Sequence, residues 1–248
     1  MLQWIPPVAI ALIFILQLFF SWVGVFPGNL PAITQNAWYA AFGFYSEADD
    51  MAKFVEVQPG VSSKTEADAA KKPAETARRD QPEVVLDRPS ISLLLIFYLV
   101  PFFLVTLAAT VLVAVLPYVQ LSLPPAVQQL LPWKWVILTA LNAVLVLFLV
   151  LQMLTYFGIE SSYAASIEAR FAPAKAANGE GKPERKLTTT EKNQLAVERG
   201  KYLQWLQRTT TLYVVLLLHV LSLVSCALIY WIEKRGSAKP LPRLEIRY

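Results

Sequence analysis

His219 is the single histidine of this 248-residue chain, and its imidazole is the side chain best suited to chemistry near neutral pH. It lies inside an apolar stretch that covers residues 209–232. Imidazole is a common axial ligand of haem iron, and Met153 in an earlier apolar stretch could supply the opposite ligand. The alternative is a neutral histidine hydrogen-bonded to Asn142, Gln152 or a backbone carbonyl, because desolvation favours the neutral form. We expect this alternative and predict no cofactor, with a haem or quinone site at His219 as the competing hypothesis.

Other familiar catalytic arrangements lack the residues that they need. A zinc site usually takes three or four histidine and cysteine ligands, whereas the chain holds one histidine and one cysteine, Cys226. The nine glycines are scattered, so the sequence contains no phosphate-binding loop. A Ser–His–Asp hydrolase would need His219 as its base, at a depth where no carboxylate can reach it. The sequence therefore favours a protein that is not an enzyme.

Charge is absent from the apolar core of every stretch long enough to cross a membrane. Ionisable side chains within a span usually mark ion or proton pathways, so their absence disfavours an ion-coupled transporter. The net charge is +4, but Lys and Arg are spread over loops and tail. Cations of this kind are ordinarily explained by anionic lipid, and they give nucleic-acid binding no support.

The elements that carry these residues are predicted to be membrane helices. Hydrophobic residues make up 56% of the chain and charged residues only 16%, below the roughly 25% of soluble domains. Crossing hydrocarbon takes roughly 20 apolar residues. Four stretches meet this length: 1–26, 90–119, 134–158 and 209–232. We predict an all-α integral membrane protein with four transmembrane helices and two long, partly disordered extramembrane loops.

Polar side chains recur within the last two spans. In the last span they share one face at steps of eight, three, four and four, at Thr211, His219, Ser222, Cys226 and Tyr230. Small residues on such a face let helices approach closely, and intramembrane amides hydrogen-bond across helices at roughly 1 kcal/mol each. We therefore predict helix-packing roles for Asn142, Gln152, Ser222 and Cys226. The alternative is a pore lined by Asn142, Gln152, Ser222 and Ser225.

The segments between the spans differ in character. Residues 27–89 begin with aromatic residues at helical spacing, Trp38, Phe42 and Tyr45, which are typical of the membrane interface. From residue 57 to 87 the apolar periodicity disappears, which indicates a flexible linker. Residues 120–133 form a short uncharged connection, and Pro101 predicts a kink in the second span.

Residues 159–208 are predicted to be polar helical extensions with a flexible middle at 172–186. Thr188 and Glu191 have capping-box spacing, so a helix is expected to begin there and to continue directly into the last span. The basic tail covers residues 233–248. Because Lys and Arg crowd this tail, we expect both termini in the cytoplasm, with the protein in a bacterial inner (plasma) membrane. A cleaved signal peptide is the competing interpretation of the first span, but no cation precedes its apolar run.

By elimination, the sequence favours a protein that acts by binding. We expect a non-catalytic accessory, scaffold or assembly subunit of a larger membrane complex. Its partners would be membrane lipid and other membrane-protein subunits, or further copies of itself in a homo-oligomer. A small oligomeric channel or transporter and a haem- or quinone-binding redox subunit are the alternatives.

Overall fold

Four long apolar helices dominate the structure. The computed structural model describes residues 2–48, 54–58, 84–118, 124–171 and 189–237. The helical segments long and apolar enough to cross a membrane are Leu2–Phe19, Leu93–Val115, Pro125–Phe171 and Thr210–Arg235. The prediction of four such helices is therefore confirmed, and the fold is consistent with an integral membrane protein.

The chain forms two compact units, each assembled from separate stretches. The helical unit comprises Met1–Leu16, Ile96–Met153 and Tyr213–Tyr248. The sheet unit comprises Gln17–Leu95 and Leu154–Leu212. Every candidate span thus contributes to the helical unit, and segments between the predicted spans make up most of the sheet unit.

The helices of the helical unit are rich in Leu, Val and Ile. They are α1 (Ile5–Phe19), α3 (Leu93–Phe97) with α4 (Leu104–Val115), α5 (Pro125–Leu130), α6 (Lys134–Leu154) and α9 (Thr210–Ser237). Helices α2 (Ala37–Phe42), α7 (Ile159–Phe171) and α8 (Thr189–Gln204) belong to the sheet unit. Pro6 and Pro7 lie in the first turn of α1, where a missing backbone donor costs little. One part of the core contains Trp135, Leu138, Cys226 and Ile229 in mutual contact.

Pro101 changes the helix type of the second span. Residues Tyr98–Phe103 form a π-helical turn between α3 and α4. At its end the amide of Leu104 donates to the carbonyl of Leu99, five residues earlier. Proline has no amide hydrogen and its ring crowds the preceding turn, which a wider turn accommodates. The irregularity expected at Pro101 is therefore a π turn, and Tyr98 is its first residue.

The sheet unit contains the strands that the sequence analysis missed. Strands β1 (Val23–Val25), β2 (Ile33–Gln35), β3 (Ser46–Glu47) and β6 (Leu206–Arg208) form an antiparallel sheet in the order β3-β2-β1-β6. In its register Val23 pairs with both Gln35 and Arg208. The all-α prediction is therefore wrong. Strands of two to four residues are too short to show the alternation from which strands are recognised, and these pair across long stretches of sequence.

Two further elements pair beside this sheet. Strands β4 (Val55–Gln58) and β5 (Val84–Asp87) run parallel to each other. Residues 57–58 and 84–87 of the predicted linker therefore lie in strands, and its residues 59–83 lie outside the described chain. The predicted flexible middle at 172–186 and the tail beyond residue 237 also lie outside it. Helices α2 (Ala37–Phe42), α7 (Ile159–Phe171) and α8 (Thr189–Gln204) complete the unit. Strand β6 separates α8 from α9, so the helix does not continue directly into the last span.

Candidate functional site

His219 is fully buried in the helical unit and is paired with Tyr98. Its Nε2 atom lies 2.8 Å from the Tyr98 hydroxyl, and the two groups share a hydrogen bond. The ring also meets Tyr98 and Phe103 edge-on, with centroids 5.9 and 6.1 Å away. A hydrogen-bonded histidine was expected, but its partner is a tyrosine 121 positions away that no local pattern singles out.

The second imidazole nitrogen of His219 has no hydrogen-bond partner among the residues that the structure describes. Axial ligation of haem through Nε2 would require loss of the Tyr98 hydrogen bond. Asn142 is also buried, and its amide nitrogen donates to the Leu138 carbonyl one turn earlier, at 2.9 Å. The haem hypothesis stays a prediction, and the arrangement around Nε2 disfavours it.

The other polar residues predicted in the spans are buried as well. Gln152, Ser222, Ser225 and Cys226 have at most 3% of their surface exposed. Cys226 belongs to the core cluster with Trp135 and Leu138. Burial is compatible with the predicted role in helix packing, which stays a prediction, as does the alternative of a pore lined by these residues.

An apolar recess opens on the surface of the helical unit between α1 and α9. Its volume is about 230 Å³, and its lining residues are Trp4, Ile5, Val8, Ala9, Leu12, Leu218 and Leu221. Ala9 is buried, whereas Val8 is 53% exposed. An alanine methyl group fills little space, so Ala9 leaves room in the lining of the recess.

Helix α2 of the sheet unit is hydrogen-bonded to the ends of two candidate spans. Asn36 caps α2 by accepting from the Tyr39 amide, and its own amide nitrogen donates to the Leu18 carbonyl in the last turn of α1, at 2.6 Å. At the other end, the amide of Ser92 donates to the Ala41 carbonyl, at 3.2 Å. Ser92 directly precedes α3. Helix α2 is therefore held beside the borders of the apolar segments.

A groove of about 610 Å³ lies at the end of α2. Its lining residues are Phe42, Gly43, Phe44, Tyr45, Glu47, Arg88, Pro89 and Ile91. Gly43 ends α2 with φ +74°, and a Cβ atom there would come within 2.9 Å of the Pro89 carbonyl oxygen. Only glycine combines this backbone conformation with so close an approach. The two walls of the groove therefore depend on Gly43.

Among the described residues that line it, the groove combines exposed apolar side chains with one charge of each sign. Phe44 and Ile91 are 61% and 62% exposed, and Glu47 and Arg88 also face solvent. Burial raises the pKa of Tyr45 above its ordinary value of 10.0, and the neighbouring Glu47 carboxylate raises this pKa further. The positive charge of Arg88 acts in the opposite direction and lowers the pKa of Tyr45. The three polar groups therefore act on one another within a single site.

A largely buried ion pair joins two elements of the sheet unit. Glu160 in the first turn of α7 accepts two hydrogen bonds from Arg208 at the end of β6, at 2.6 and 2.9 Å. The same guanidinium donates to the Thr155 carbonyl at 2.8 Å. Gln35 in β2 accepts from the amide of Ile159 at 2.7 Å. This network was not predicted from the sequence, because Glu160 and Arg208 are 48 positions apart and resemble ordinary loop charges.

Among the described residues, no group of three or more His, Cys, Asp or Glu side chains is placed to hold a metal ion. Comparison of the chain with protein-family models, with curated proteins and with solved structures finds no match. The function of this chain must therefore be inferred from its own recess, groove and buried polar pairs.

Proposed function

We propose that this protein is a non-catalytic accessory, scaffold or assembly subunit of a larger membrane complex. In this proposal a transmembrane helix of a partner subunit packs into the recess between α1 and α9. The recess is the observation that carries the proposal, because it is a concave, wholly apolar surface on helices of membrane-spanning length.

Helix association in a bilayer depends on close packing, because lipid tails are as apolar as the helices themselves. A concave surface with a small residue at its base lets a neighbouring side chain insert as a knob into a hole. Ala9 provides such a base, and Val8 and Leu221 stand at the edge with about half of their surfaces exposed. His219, Ser222 and Ser225, the polar side chains in the middle of α9, are buried within the chain, which leaves shape as the basis of lateral recognition there.

Affinity purification of the tagged full-length protein in mild detergent, with mass spectrometry of what co-purifies, tests this proposal. Val8→Trp fills the recess from its edge, and Val111→Trp is the matched control because Val111 is 49% exposed on α4, away from the recess. We expect a stoichiometric set of membrane subunits with the wild type and with Val111→Trp. We expect that set to be lost with Val8→Trp, at unchanged thermal stability.

Two results would contradict the proposal. Wild-type protein recovered alone, as a monomer or a homo-oligomer, would rule out a constitutive subunit. Equal retention of partners by Val8→Trp and Val111→Trp would show that the recess is not the contact.

We further infer a bacterial inner (plasma) membrane location with both termini in the cytoplasm. The support is the run of cations that follows the last span, including Lys234 and Arg235 in the last turn of α9. A fluorescent reporter that folds only in the cytoplasm, fused after Tyr248, is expected to be bright. A dark but stably expressed fusion would reverse the orientation.

A further inference from the structure

We propose that the groove formed by residues 42–47 and 88–91 binds the headgroup of a zwitterionic phospholipid, with Arg88 on the phosphate and Glu47 on the cationic amine. This lipid site goes beyond the proposed subunit function and uses none of the residues of the recess. Its failure would leave the partner-binding proposal untouched, and the reverse also holds.

The position of the groove in the chain places it at the border of the membrane. Only Ser92 separates Ile91 from Leu93, the first residue of a candidate span. Ser92 is hydrogen-bonded to α2, whose capping residue Asn36 is hydrogen-bonded to the last turn of α1. A groove tied to the ends of two spans lies at the level where phospholipid headgroups are found. Exposed aromatic residues such as Phe42 and Phe44 are favoured at that level.

The phosphate partner in this proposal is Arg88. A guanidinium presents planar pairs of donors that match phosphate oxygens. Among the described residues, no carboxylate lies within ion-pairing distance of Arg88. Its guanidinium is exposed at the wall of the groove and can therefore accept an external anion without breaking an ion pair in the described chain.

The amine partner is Glu47, beside the aromatic rings. Its carboxylate lies close enough to Tyr45 to raise the pKa of that hydroxyl, and it has acceptor capacity for an ammonium group. The faces of Phe44 and Tyr45 attract a cation as well, whether it carries N–H groups or methyl groups. A purely anionic headgroup would satisfy Arg88 but would leave Glu47 facing a like charge. Opposite charges within one groove therefore select a headgroup that itself carries both signs.

The dimensions of the groove agree with this occupant. A volume of about 610 Å³ falls within the roughly 300–1,000 Å³ of sites that hold small molecules. Phe42 and Ile91 supply apolar contacts for the glycerol and the first methylene groups of the acyl chains. The groove is open on one side, as a headgroup that stays attached to the bilayer requires.

The test measures which lipids remain bound to the full-length protein after extraction from vesicles. The vesicles contain equal amounts of phosphatidylethanolamine, phosphatidylcholine and phosphatidylglycerol, and bound lipid is counted by mass spectrometry. The variants are Arg88→Gln and Glu47→Gln. The matched controls are Arg199→Gln and Glu168→Gln, which remove the same charges from an exposed pair in the same unit.

We expect the wild type to retain one or both zwitterionic lipids over phosphatidylglycerol. Loss of a charge-assisted hydrogen bond corresponds to a roughly 10- to 100-fold drop in affinity, so we expect Arg88→Gln to reduce the retained lipid by about tenfold or more. Glu47→Gln should abolish the preference over phosphatidylglycerol, and both control variants should behave as wild type. The ratio of the two zwitterionic lipids then identifies whether the amine is primary or quaternary.

Three results of the lipid measurement would overturn the proposal. They are preferential retention of phosphatidylglycerol, equal retention of all three lipids by the wild type, and control variants that lose lipid as strongly as the groove variants. Co-purifying proteins that are lost with Arg88→Gln while the lipid content stays constant would also overturn it, because the groove would then be a protein contact. Arg88→Lys provides a second variant, which keeps the charge and is expected to retain an intermediate amount of lipid.

Discussion

Replacing Arg208 by leucine leaves the buried Glu160 carboxylate without the two guanidinium hydrogen bonds that it accepts. The side chains are 19% and 3% exposed, so water does not replace the lost donors at Glu160. Removing one partner of a buried ion pair typically costs about 3–5 kcal/mol, because an uncompensated charge is left in the interior. Arg208→Leu also removes the bond to the Thr155 carbonyl, at 2.8 Å, which places the expected loss in the upper part of that range.

The same chain contains a matched control for this substitution. Arg199 and Glu168 pair at 3.1 Å with side chains that are 47% and 66% exposed. Solvent screens an exposed pair of this kind, which is worth about 0–1 kcal/mol. Arg199→Leu is therefore expected to change stability little, although it removes the same chemical group from the same unit.

Thermal unfolding of the full-length protein in detergent, followed by tryptophan fluorescence, compares these variants. With a shift of about 2–4 °C per kcal/mol, Arg208→Leu should lower the midpoint by about 6–20 °C, and Arg199→Leu by less than about 4 °C. Trp22 and Trp205 lie in the sheet unit and report on its unfolding. The double variant Glu160→Leu with Arg208→Leu should recover much of the loss, because no charge then remains buried. Equal shifts for the two single variants, or a double variant no better than Arg208→Leu, would refute the reasoning.

Three further substitutions test separate parts of the structure. Gly158→Ala places a methyl group against the side chain of Gln35 at φ +51°, whereas Gly28→Ala has a similar φ of +60° and open space. We expect Gly28→Ala to lower the free energy of unfolding by about 1–2 kcal/mol and Gly158→Ala to lower it by more. Equal unfolding midpoints for the two variants would exclude the proposed crowding at Gly158. Tyr98→Phe removes the hydrogen bond to the buried imidazole and should cost about 1 kcal/mol, with an unchanged melting temperature as the contrary result. The raised pKa of Tyr45 should fall towards 10.0 in Glu47→Gln when tyrosinate absorbance is titrated, and a pKa that stays in place would show that burial alone raises it.

The direction in which folding shifts the pKa of Tyr45 determines how its contribution to stability changes with pH. Its folded-state pKa is raised, so folding favours the neutral phenol. That contribution is fully present below pH 10.0, the ordinary value, and is lost as the pH rises through the folded-state pKa. Unfolding midpoints of the wild type should therefore decline above pH 10 more steeply than those of Tyr45→Phe.

The membrane-crossing helices could be predicted from the sequence because a single local property defines them. A run of about 20 apolar residues is visible without knowledge of any neighbour. Asn142, Ser222 and Cys226 are buried, as expected of polar and small side chains that turn away from lipid inside a span, and their helix-packing role stays a prediction. The pairing of Tyr98 with His219 could not be predicted, because the two residues lie 121 positions apart and no local pattern links them.

The sheet unit could not be predicted because its information is distributed over the chain. Strand β1 is three residues long and is separated by three residues from the apolar helix α1, so its Val-Gly-Val sequence resembles the end of the span. Its partner β6 lies almost at the other end of the described sequence. Gly24 shows why a single residue matters here, since a Cβ atom would come within 2.7 Å of the Ile33 carbonyl. Such constraints become visible only once the strands are paired.

The candidate lipid site could also be predicted only in part, because some of its features are local in the sequence and others come from distant segments. The aromatic spacing around Trp38 and Phe42 already indicated an interfacial element in the sequence. The charges that give the groove its chemistry come from two segments, since Glu47 follows α2 closely while Arg88 precedes the second span. Pairing of β2 with β3 fixes Glu47, and the hydrogen bond from the Ser162 hydroxyl to the Arg88 carbonyl, at 3.2 Å, fixes the backbone of Arg88. A headgroup with both signs of charge is therefore recognised by tertiary structure, on an apolar surface that local sequence provides.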